Sequence, residues 1–441
     1  MGVTGSQQNT DKKPVVIIIG GGYGGVEAAK KLDKSGHFFV ILIDRKSYFL
    51  HNIAALRASV ENEYARQIMI PYDKLLNNGC VIQAEVAAVT TEHILIHGSS
   101  TPMTFDYLII ATGSSYAFPA KVSDHNSAEA YLRYKQLREK IEKAQRILIV
   151  GGGPVGCELA GEIAEDFKNK QVTLIHSQTA LINPNLFNPK FCQAIREQLE
   201  SLDVKVLLNE RIDLKPMLED YKQSDMNYLE GEYTVNTDKQ TPITSDLIFI
   251  CTGTKVNNRS LDAFRLHFNA EGRINVNNHL QVPGYKNIFA IGDISSKETK
   301  MAFYAGAQAS YVASVIKAMQ QNKSFREYTA AKNRAMLVTI GRNGGVGQLP
   351  TSSQTVVGKT VVKLIKSKGM ISRKYWSIMN QKYTPTANEQ QSKETTIDRE
   401  FDKSYNRKIN ALLTMDFTEN EANDLLKGLP NRTLEAGQDY I

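Results

Sequence analysis

One local pattern occurs twice in this sequence and constrains the fold more than any other feature. The apolar run Val15–Ile19 leads into Gly20-Gly21-Gly22-Tyr23-Gly24-Gly25, and Ile147–Val150 leads into Gly151-Gly152-Gly153-Pro154-Val155-Gly156. Each run is typical of a buried strand, and each is followed by a G-x-G-x-x-G loop and a helical stretch. The repeat predicts an α/β protein with two Rossmann-like dinucleotide-binding domains.

The first loop carries the residue types that such a site needs. Gly20 permits the tight turn, Gly22 lets the backbone approach a diphosphate, and Gly25 permits close packing of the helix on the strand. Asp44 ends the next apolar strand, 19 residues beyond Gly25, where a carboxylate can accept a hydrogen bond from a ribose hydroxyl. We predict that these residues bind a dinucleotide together with their loop neighbours Tyr23 and Gly24.

The second loop has its glycines at Gly151, Gly153 and Gly156, but no acid ends its next strand. That position is His176, followed by Ser177 and Gln178. An acid there would favour NAD, and arginines would favour NADP. The sequence offers neither, so it predicts a second dinucleotide site whose preference stays open.

Composition and charge narrow the class of protein further. The 441 residues are 42% hydrophobic and 22% charged, which is ordinary globular usage, and the length predicts roughly three domains. The net charge of +7 arises in the first 380 residues, because the tail is mildly acidic. A positive charge on the first 380 residues suits binding to an anionic membrane or to phosphate-bearing ligands, and binding to nucleic acid is not expected. The four cysteines are far apart, which excludes a zinc ribbon and a redox dithiol and favours a reduced intracellular protein.

The order of the motifs resembles one known family. The first loop and its acid are followed by Ala111-Thr112-Gly113, the second loop by Glu158, then by Thr252-Gly253 and Gly292-Asp293. This order resembles the two-dinucleotide-domain flavoproteins, to which glutathione reductase, apoptosis-inducing factor and the type II NADH dehydrogenases belong. The resemblance implies FAD at the first loop and NAD(P)H at the second.

The resemblance also implies roles for residues outside the loops. Glu158 would face the nicotinamide carboxamide, and the helix that begins near Met301 and Ala302 would direct its positive end at the flavin, where it stabilises negative charge. The other residues implied at the cofactors are Val81, Thr112, Gly113, Gly253 and Asp293.

A narrower resemblance covers roughly residues 1–380. Asn52–Glu61, Thr173–Gln178 and Gly341-Arg342-Asn343 resemble the ferroptosis-suppressor branch of this family. This resemblance places Arg57 beside the flavin and implies that electrons pass to ubiquinone or a similar lipid quinone, giving a quinol that suppresses lipid peroxidation. The expected enzyme is thus a membrane-anchored, FAD-dependent NAD(P)H:quinone oxidoreductase.

The chain departs from glutathione reductase at one decisive place. Where disulfide reductases carry CxxxxC, this chain has Ser47-Tyr48-Phe49-Leu50-His51-Asn52. Without a dithiol beside the flavin, electrons cannot pass on by thiol exchange and must leave the flavin directly, to a quinone, oxygen or another acceptor. His51 is a candidate proton donor in this stretch, or else a structural histidine.

Two segments predict attachment to a membrane. The start Met1-Gly2-Val3-Thr4-Gly5-Ser6 fits the pattern for myristoylation of Gly2. Residues 358–379 have six Lys or Arg, no acid and interleaved apolar residues, which suits an anionic leaflet through residues 359–374. The alternative is a packed strand and helix with a solvated basic face. Lys366 in this segment is a candidate for quinone protonation, through the same resemblance. The expected location is cytoplasmic and peripheral, on the plasma membrane, lipid droplets or the outer face of mitochondria, and not secreted.

The tail predicts a separate module. Apolar residues return at helical spacing after about residue 404 and resemble a three-helix ubiquitin-associated (UBA) domain, which would bind ubiquitin. Asp416 stands where the usual contact loop has glycine. The other functions left open are a reductase of a protein electron carrier, and a ubiquitin- or nucleic-acid-binding scaffold.

These patterns give the following domain organisation. The fold class is α/β, with two glutathione-reductase-like dinucleotide-binding domains, a C-terminal α+β segment and the small UBA-like bundle. The predicted parts are an arm (1–12), a split FAD-binding domain (13–120 and 246–328), an NAD(P)H-binding domain (121–245), a quinone- and membrane-facing segment (329–380), a linker (381–403) and the UBA-like domain (404–441).

Overall fold

A computed structural model describes residues 13–213 and 228–385. The predicted arm with Gly2, residues 386–403 of the predicted linker and the predicted UBA-like domain lie outside the described residues.

The strands and helices are numbered here in chain order. The strands of the first half are β1 Val15–Ile19, β2 Phe39–Asp44, β3 Tyr48–Leu50, β4 Met69–Pro71, β5 Cys80–Gln83, β6 Val86–Val89, β7 His93–Ile96, β8 Met103–Thr104, β9 Tyr107–Ile110 and β10 Ser114–Tyr116. Those of the second half are β11 Arg146–Val150, β12 Gln171–His176, β13 Lys205–Leu208, β14 Tyr228–Asn236, β15 Pro242–Ile250, β16 Thr254–Val256, β17 Ile288–Ala290, β18 Met336–Ile340, β19 Gly344–Gln348 and β20 Val356–Val357. The α-helices are α1 Tyr23–Asp33, α2 Ala65–Ile68, α3 Ser127–Lys143, α4 Pro154–Asp166, α5 Pro189–Glu200, α6 Ala302–Gln320, α7 Lys359–Val362 and α8 Ser372–Ile378.

The first unit is a parallel sheet in the order β17-β9-β1-β2-β5. Its central strand β1 is apolar throughout, and Val16, Ile17 and Ile18 are fully buried, as expected where both faces of a parallel sheet are covered. Helices α1 and α6 pack against each other on one face. Both follow a strand of the sheet, so both begin at the edge where the parallel strands end.

The second unit repeats this plan in the order β13-β12-β11-β15-β14. All neighbouring strands are parallel except β14, which pairs antiparallel with β15 at the edge. The boundary predicted between residues 245 and 246 falls inside β15 and needs correction. Leu247–Ile250 pair with Ile147–Val150 in register, so all of β15 belongs to the second sheet and the chain returns to the first unit at β16. The α/β class with two Rossmann-like sheets is confirmed.

The C-terminal segment joins the two units. The sheet β18-β19-β20 packs on α4 so closely that a Cβ atom at Gly161 would lie 2.8 Å from the Cα of Ile340. A π-helical turn, Lys363–Ser367, continues α7, and α8 lies on the first unit. There the indole nitrogen of Trp376 donates to the carbonyl of Gln67 (2.9 Å), and Lys30 Nζ donates to Asn380 Oδ1 (2.8 Å). In the described residues, no helix has the length and apolar character needed to cross a bilayer.

Candidate functional site

The first glycine loop folds as its spacing predicts. Gly20 has a φ of +103°, and a Cβ at Gly25 would lie 1.8 Å from the Gly20 carbonyl oxygen, so neither position accepts a side chain. A Cβ at Gly22 would meet nothing within 4 Å. The loop is therefore tightly packed underneath and open at Gly22, which is the shape that a diphosphate requires.

Asp44 lies beside this loop at the end of β2. Its Oδ2 accepts from the Gly21 amide at 2.5 Å, and its Oδ1 accepts from the Lys46 amide at 2.7 Å. A cavity of about 270 Å³ opens next to it and is lined in part by Tyr72 and Val81. A carboxylate held by the loop and a cavity of this kind fit the ribose and adenine of FAD.

The predicted residues between β9 and β10, and the one in the turn after β17, also lie here. A Cβ at Gly20 would lie 3.1 Å from the Cα of Thr112. Ser114 Oγ donates to Asp293 Oδ2 at 2.6 Å, and Lys121 Nζ lies 3.8 Å from the same oxygen. Asp293 therefore lies beside the turn at Gly113, which has a φ of +66°.

Helix α6 begins at the same place. Met301 is its N-cap residue and makes no side-chain capping hydrogen bond, so the first amides of the helix that begins at Ala302 are left for another partner. A Cβ at Gly24 would lie 3.3 Å from the Ala305 oxygen, so the two helix N-termini almost touch. Their positive ends favour an anionic group at this point, which fits FAD.

The second loop has the same construction. Gly151 has a φ of +114° and leaves only 2.5 Å between a Cβ and the Cys251 oxygen, while a Cβ at Gly156 would lie 1.9 Å from the Gly151 oxygen. Gly153 is open, with nothing within 4 Å of its Cβ position. Gly253 follows β15 with a φ of +76°. This loop also fits a dinucleotide diphosphate.

His176 lies under the second loop. Its Nδ1 accepts from the Gly152 amide at 3.2 Å, while its Nε2 is buried without a hydrogen-bond partner. Burial lowers the pKa of His176, so the ring is neutral near pH 7. If this predicted position selects between NAD and NADP, a neutral ring there carries no charge to favour either cofactor.

Glu158 and Lys366 form an ion pair. Lys366 Nζ lies 2.6 Å from Glu158 Oε1 and 2.9 Å from the Leu337 oxygen, and the same Oε1 accepts from the Thr339 amide at 3.1 Å. Both side chains are mostly buried, at 12% and 13% exposure. The structure therefore brings together a predicted nicotinamide residue and a predicted quinone residue from distant parts of the chain.

Arg57, a predicted cofactor residue, lies in a buried ion pair. Its Nε and Nη2 donate to the two carboxylate oxygens of Glu162 at 3.1 and 2.9 Å, and its Nη1 donates to the Ser367 oxygen at 2.5 Å. Burial lowers the pKa of Arg57, but the charge of Glu162 and the hydrogen bonds to it outweigh burial and raise that pKa. The guanidinium connects three parts of the chain and is 1% exposed.

His51 is completely buried, and both ring nitrogens are used. Nδ1 lies 3.1 Å from Tyr23 Oη and Nε2 lies 2.7 Å from the Met370 oxygen. Burial is the main reason that the pKa of His51 is lowered to about 4. Since a carbonyl only accepts, Nε2 carries the proton and Tyr23 donates to Nδ1. A neutral ring with its proton already donated is not a ready proton source near pH 7, which favours the structural role.

A family model described as pyridine nucleotide-disulphide oxidoreductase matches residues 14–321. The chain belongs to this family. Apoptosis-inducing factor homolog B of Dictyostelium discoideum is 36% identical over 84% of this chain and 98% of its own length, and ferroptosis suppressor protein 1 of Mus musculus is 37% identical over 86% and 99%. The sulfide:quinone oxidoreductase of Aquifex aeolicus has the same fold, with a TM-score of 0.63 at 17% identity over 86% of this chain and 94% of that chain. As a family member with both sites in place, the protein is an FAD-dependent NAD(P)H oxidoreductase.

Sequence reasoning missed several residues of these sites. Ser114 and Lys121 contact Asp293, and Asn257 exchanges hydrogen bonds with Thr112 across 145 residues. Tyr375 packs against Tyr23 and His51, each with a centroid distance of 4.8 Å. No local pattern marks these residues, since each contact depends on how distant segments pack.

Proposed function

We propose that the protein is a membrane-anchored NAD(P)H:quinone oxidoreductase whose acceptor is ubiquinone or a similar lipid quinone. The observation that carries the proposal is the Glu158–Lys366 pair, because it holds an ammonium group at the nicotinamide helix on a segment outside both dinucleotide domains. The stretch Ser47–Asn52 has no cysteine, so electrons have no dithiol route from this site.

FAD would be held by Gly20, Gly22, Gly25, Asp44 and Asp293, and NAD(P)H by the loop Gly151–Gly156. When bound, FAD supplies the redox chemistry, taking two electrons as a hydride from NAD(P)H and giving two to the quinone. The remaining work belongs to the chain, which orients both dinucleotides and handles protons.

Lys366 suits the handling of protons. An ammonium group has three N–H donors, and two point at Glu158 and the Leu337 carbonyl. The third can donate to a quinone oxygen as negative charge develops there. Glu158 keeps the ammonium in place and, through the Thr339 amide, connects it to β18.

The proposed membrane contacts are the predicted myristoyl group on Gly2 and the basic segment 359–374. Lys359, Lys368, Arg373 and Lys374 are exposed, whereas Lys366 points inward. A myristoyl group and a basic segment together can hold a protein stably on a membrane, whereas a single myristoyl chain binds only marginally. The mouse relative is named for suppressing ferroptosis, which supports the proposal that the quinol product restrains lipid peroxidation in the cytosolic leaflet.

The proposed tail module, residues 404–441, would bind ubiquitin. Asp416 in place of the usual glycine alters the contact loop, so we expect weak binding. Binding of the full chain to immobilised ubiquitin, compared with Asp416→Gly, tests this. Tighter binding of the variant is expected, and equal absence of binding in both contradicts it.

The test of the proposed enzyme is an anaerobic stopped-flow record of flavin absorbance near 450 nm. Bleaching by NADH and recovery on adding a short-chain ubiquinone are expected. Bleaching without recovery would contradict the quinone and indicate a protein carrier as acceptor. An unbleached flavin would contradict the enzyme reaction itself and favour a scaffold.

A further inference from the structure

Lysines gather at the edge of the first sheet that lies opposite the glycine loops. In a parallel sheet, a helix that starts where one strand ends must return to where the next strand begins. Helix α1 makes this return to β2, and α6 begins beside α1 and packs along it, so the C-terminal ends of both helices lie at the edge where β1 and β2 start. Lys30, Lys31, Lys34 and Lys317 stand at these two helix ends, and Lys13 stands where the chain enters β1. We call Lys13, Lys30, Lys31, Lys34 and Lys317 the lysine face.

Three lysines of this face, Lys31, Lys34 and Lys317, lie close enough for their charges to act on one another. Burial, and then the neighbouring charges of Lys31 and Lys34, lower the pKa of Lys317. A cluster of like charges costs free energy in the isolated protein. An anionic partner removes that cost.

The nearby acids do not neutralise the face. Glu27 pairs with Lys31 at 3.5 Å. Asp33 is buried, and its carboxylate accepts from the amides of residues 77–79 at 2.8 Å. Asp106 accepts from the Val15 amide at 2.6 Å. Of these three acids, Glu27 alone forms an ion pair with the face, and within residues 13–213 and 228–385 no carboxylate pairs with Lys13, Lys34 or Lys317.

An exposed aromatic ring lies at the same edge. Phe39 begins β2, is 40% exposed, and its amide donates to the Pro14 oxygen at 2.9 Å. An aromatic ring among lysines suits a lipid headgroup region, where the ring enters the interface and the ammonium groups meet phosphates.

The face is connected to the proposed site of electron transfer by α8. At one end, Lys30 Nζ donates to Asn380 Oδ1 at 2.8 Å, just beyond the helix. Toward the other end, Tyr375 packs on Tyr23 of the first glycine loop. A bilayer bound at the lysine face would therefore lie at one end of α8, the helix that packs on the first glycine loop.

We propose that the lysine face and Phe39 dock the protein on an anionic phospholipid surface, as a contact separate from the segment 359–374. The proposal deepens the membrane attachment proposed above and depends on it. Its partner is an anionic leaflet rather than a nucleic acid because the positive face includes an exposed apolar ring and lies where the chain comes from its predicted lipid-bearing arm.

The test uses the full chain loaded with FAD and without a lipid modification. Binding is measured by co-sedimentation with vesicles of phosphatidylcholine alone and with phosphatidylserine added, at low and high salt. The face variant is Lys31→Gln/Lys34→Gln/Lys317→Gln. A segment variant, Lys359→Gln/Lys368→Gln/Lys374→Gln, and a remote variant, Lys190→Gln/Lys205→Gln/Lys239→Gln, remove the same charge from other exposed lysines.

We expect the face variant to lose affinity for phosphatidylserine vesicles by about tenfold or more, with the remote variant unchanged. Added salt should weaken the wild type more than the face variant. The short-chain quinone reductase rate in solution should be equal in the wild type and the face variant.

Three results would overturn the proposal. If only the segment variant loses affinity for vesicles, then the protein attaches to membranes but the lysine face takes no part in the attachment. If all variants bind vesicles equally, or if the wild type does not bind them, then neither the lysine face nor the segment 359–374 is a membrane contact. Tighter binding of a single-stranded oligonucleotide than of vesicles, lost in the face variant, makes the partner a nucleic acid. A wild type that binds vesicles through this face but reduces no quinone would instead contradict the proposed enzyme alone.

Discussion

Lys366 Nζ lies 2.6 Å from Glu158 Oε1, although 208 residues separate them. Glu158 lies in the first half of α4, the helix that follows the second glycine loop, and Lys366 lies in the π-helical turn of the C-terminal segment. The pair therefore exists only when the second unit and the C-terminal segment are docked, so the proposed proton delivery by Lys366 would depend on that docking.

Replacing Lys366 should separate the two half-reactions. In Lys366→Met, bleaching of flavin by NADH should stay within about threefold of the wild type, while reoxidation by quinone slows about 100-fold, as on removing a proton donor. Lys368→Met, at an exposed site two residues away, is the control and should change neither. Equal slowing of both half-reactions by Lys366→Met would show that the lysine acts on hydride transfer or on the fold.

The Arg57–Glu162 pair should be a large contributor to stability once one partner is lost. Arg57→Met leaves the Glu162 carboxylate buried and unpaired, so the free energy of unfolding should fall by about 3–5 kcal/mol. Arg57→Met/Glu162→Leu should recover much of this loss. Chemical unfolding followed by far-UV circular dichroism measures both.

The matched control for that pair is Arg196→Met, which breaks the exposed pair Arg196–Glu200. Its cost should be about 0.5 kcal/mol or less. Equal losses in Arg57→Met and Arg196→Met would contradict the value assigned to the buried pair.

The two glycine loops were predictable because their chemistry is local. In each case strand, glycine spacing, helix and next strand lie within about 30 residues, with a terminal acid in the first case only, and the structure shows the positive φ at Gly20 and Gly151 that the tight turns need. Arg57 was not predictable in this way. Its partners Glu162 and Ser367 are 105 and 310 residues away, and a buried arginine in a pair has the same sequence signature as one at a cofactor.

The predicted boundary at 245/246 failed for a related reason. The apolar runs Leu108–Ile110 and Leu247–Ile250 look the same in the sequence, because each predicts a strand shortly before a Thr-Gly pair. Which sheet receives the strand is decided by pairing with β11, and the sequence does not show pairing. Likewise, the sequence does not show which lysines of the basic segment 359–374 point inward and which point to solvent, because this depends on how the segment packs on the rest of the protein.

Acid should destabilise the protein through His51. The buried ring has a pKa of about 4, below the usual value near 6.5, so the unfolded state binds a proton more readily. The neutral ring therefore contributes stability that is complete above about pH 6.5 and is lost as the pH falls toward 4. Between pH 7 and pH 5 the free energy of unfolding should fall by about 2 kcal/mol from this group.

The variant His51→Gln removes this titration and should flatten the profile by that amount. Unfolding by urea at pH 7, 6 and 5 gives the comparison. His37→Gln, at an exposed histidine, is the control and should follow the wild type. If His51→Gln also follows the wild type, then the ring is not held neutral by burial.

The residue under the second loop should set the nicotinamide preference. Because His176 is neutral and adjoins Gly152, His176→Arg adds a charge where NADPH carries its 2′-phosphate. The ratio of kcat/KM for NADPH to that for NADH should rise about tenfold, through KM, and His176→Asp should move the ratio the other way. Steady-state rates at fixed quinone measure this, and unchanged ratios in both variants would place the adenosine ribose elsewhere.

Two glycines of the first loop should separate folding from FAD binding. At Gly25 an added Cβ would lie 1.8 Å from the Gly20 oxygen, whereas at Gly22 it would meet no protein atom within 4 Å. Gly25→Ala should therefore destabilise the protein with or without FAD, by roughly 1–3 kcal/mol as overpacking does. Gly22→Ala should leave the apoprotein as stable as the wild type but lower its affinity for FAD, because the methyl group occupies the face where the diphosphate lies. Thermal melting of the apoprotein and fluorescence titration with FAD distinguish the two variants. Normal FAD affinity in Gly22→Ala would show that the diphosphate does not bind at this loop.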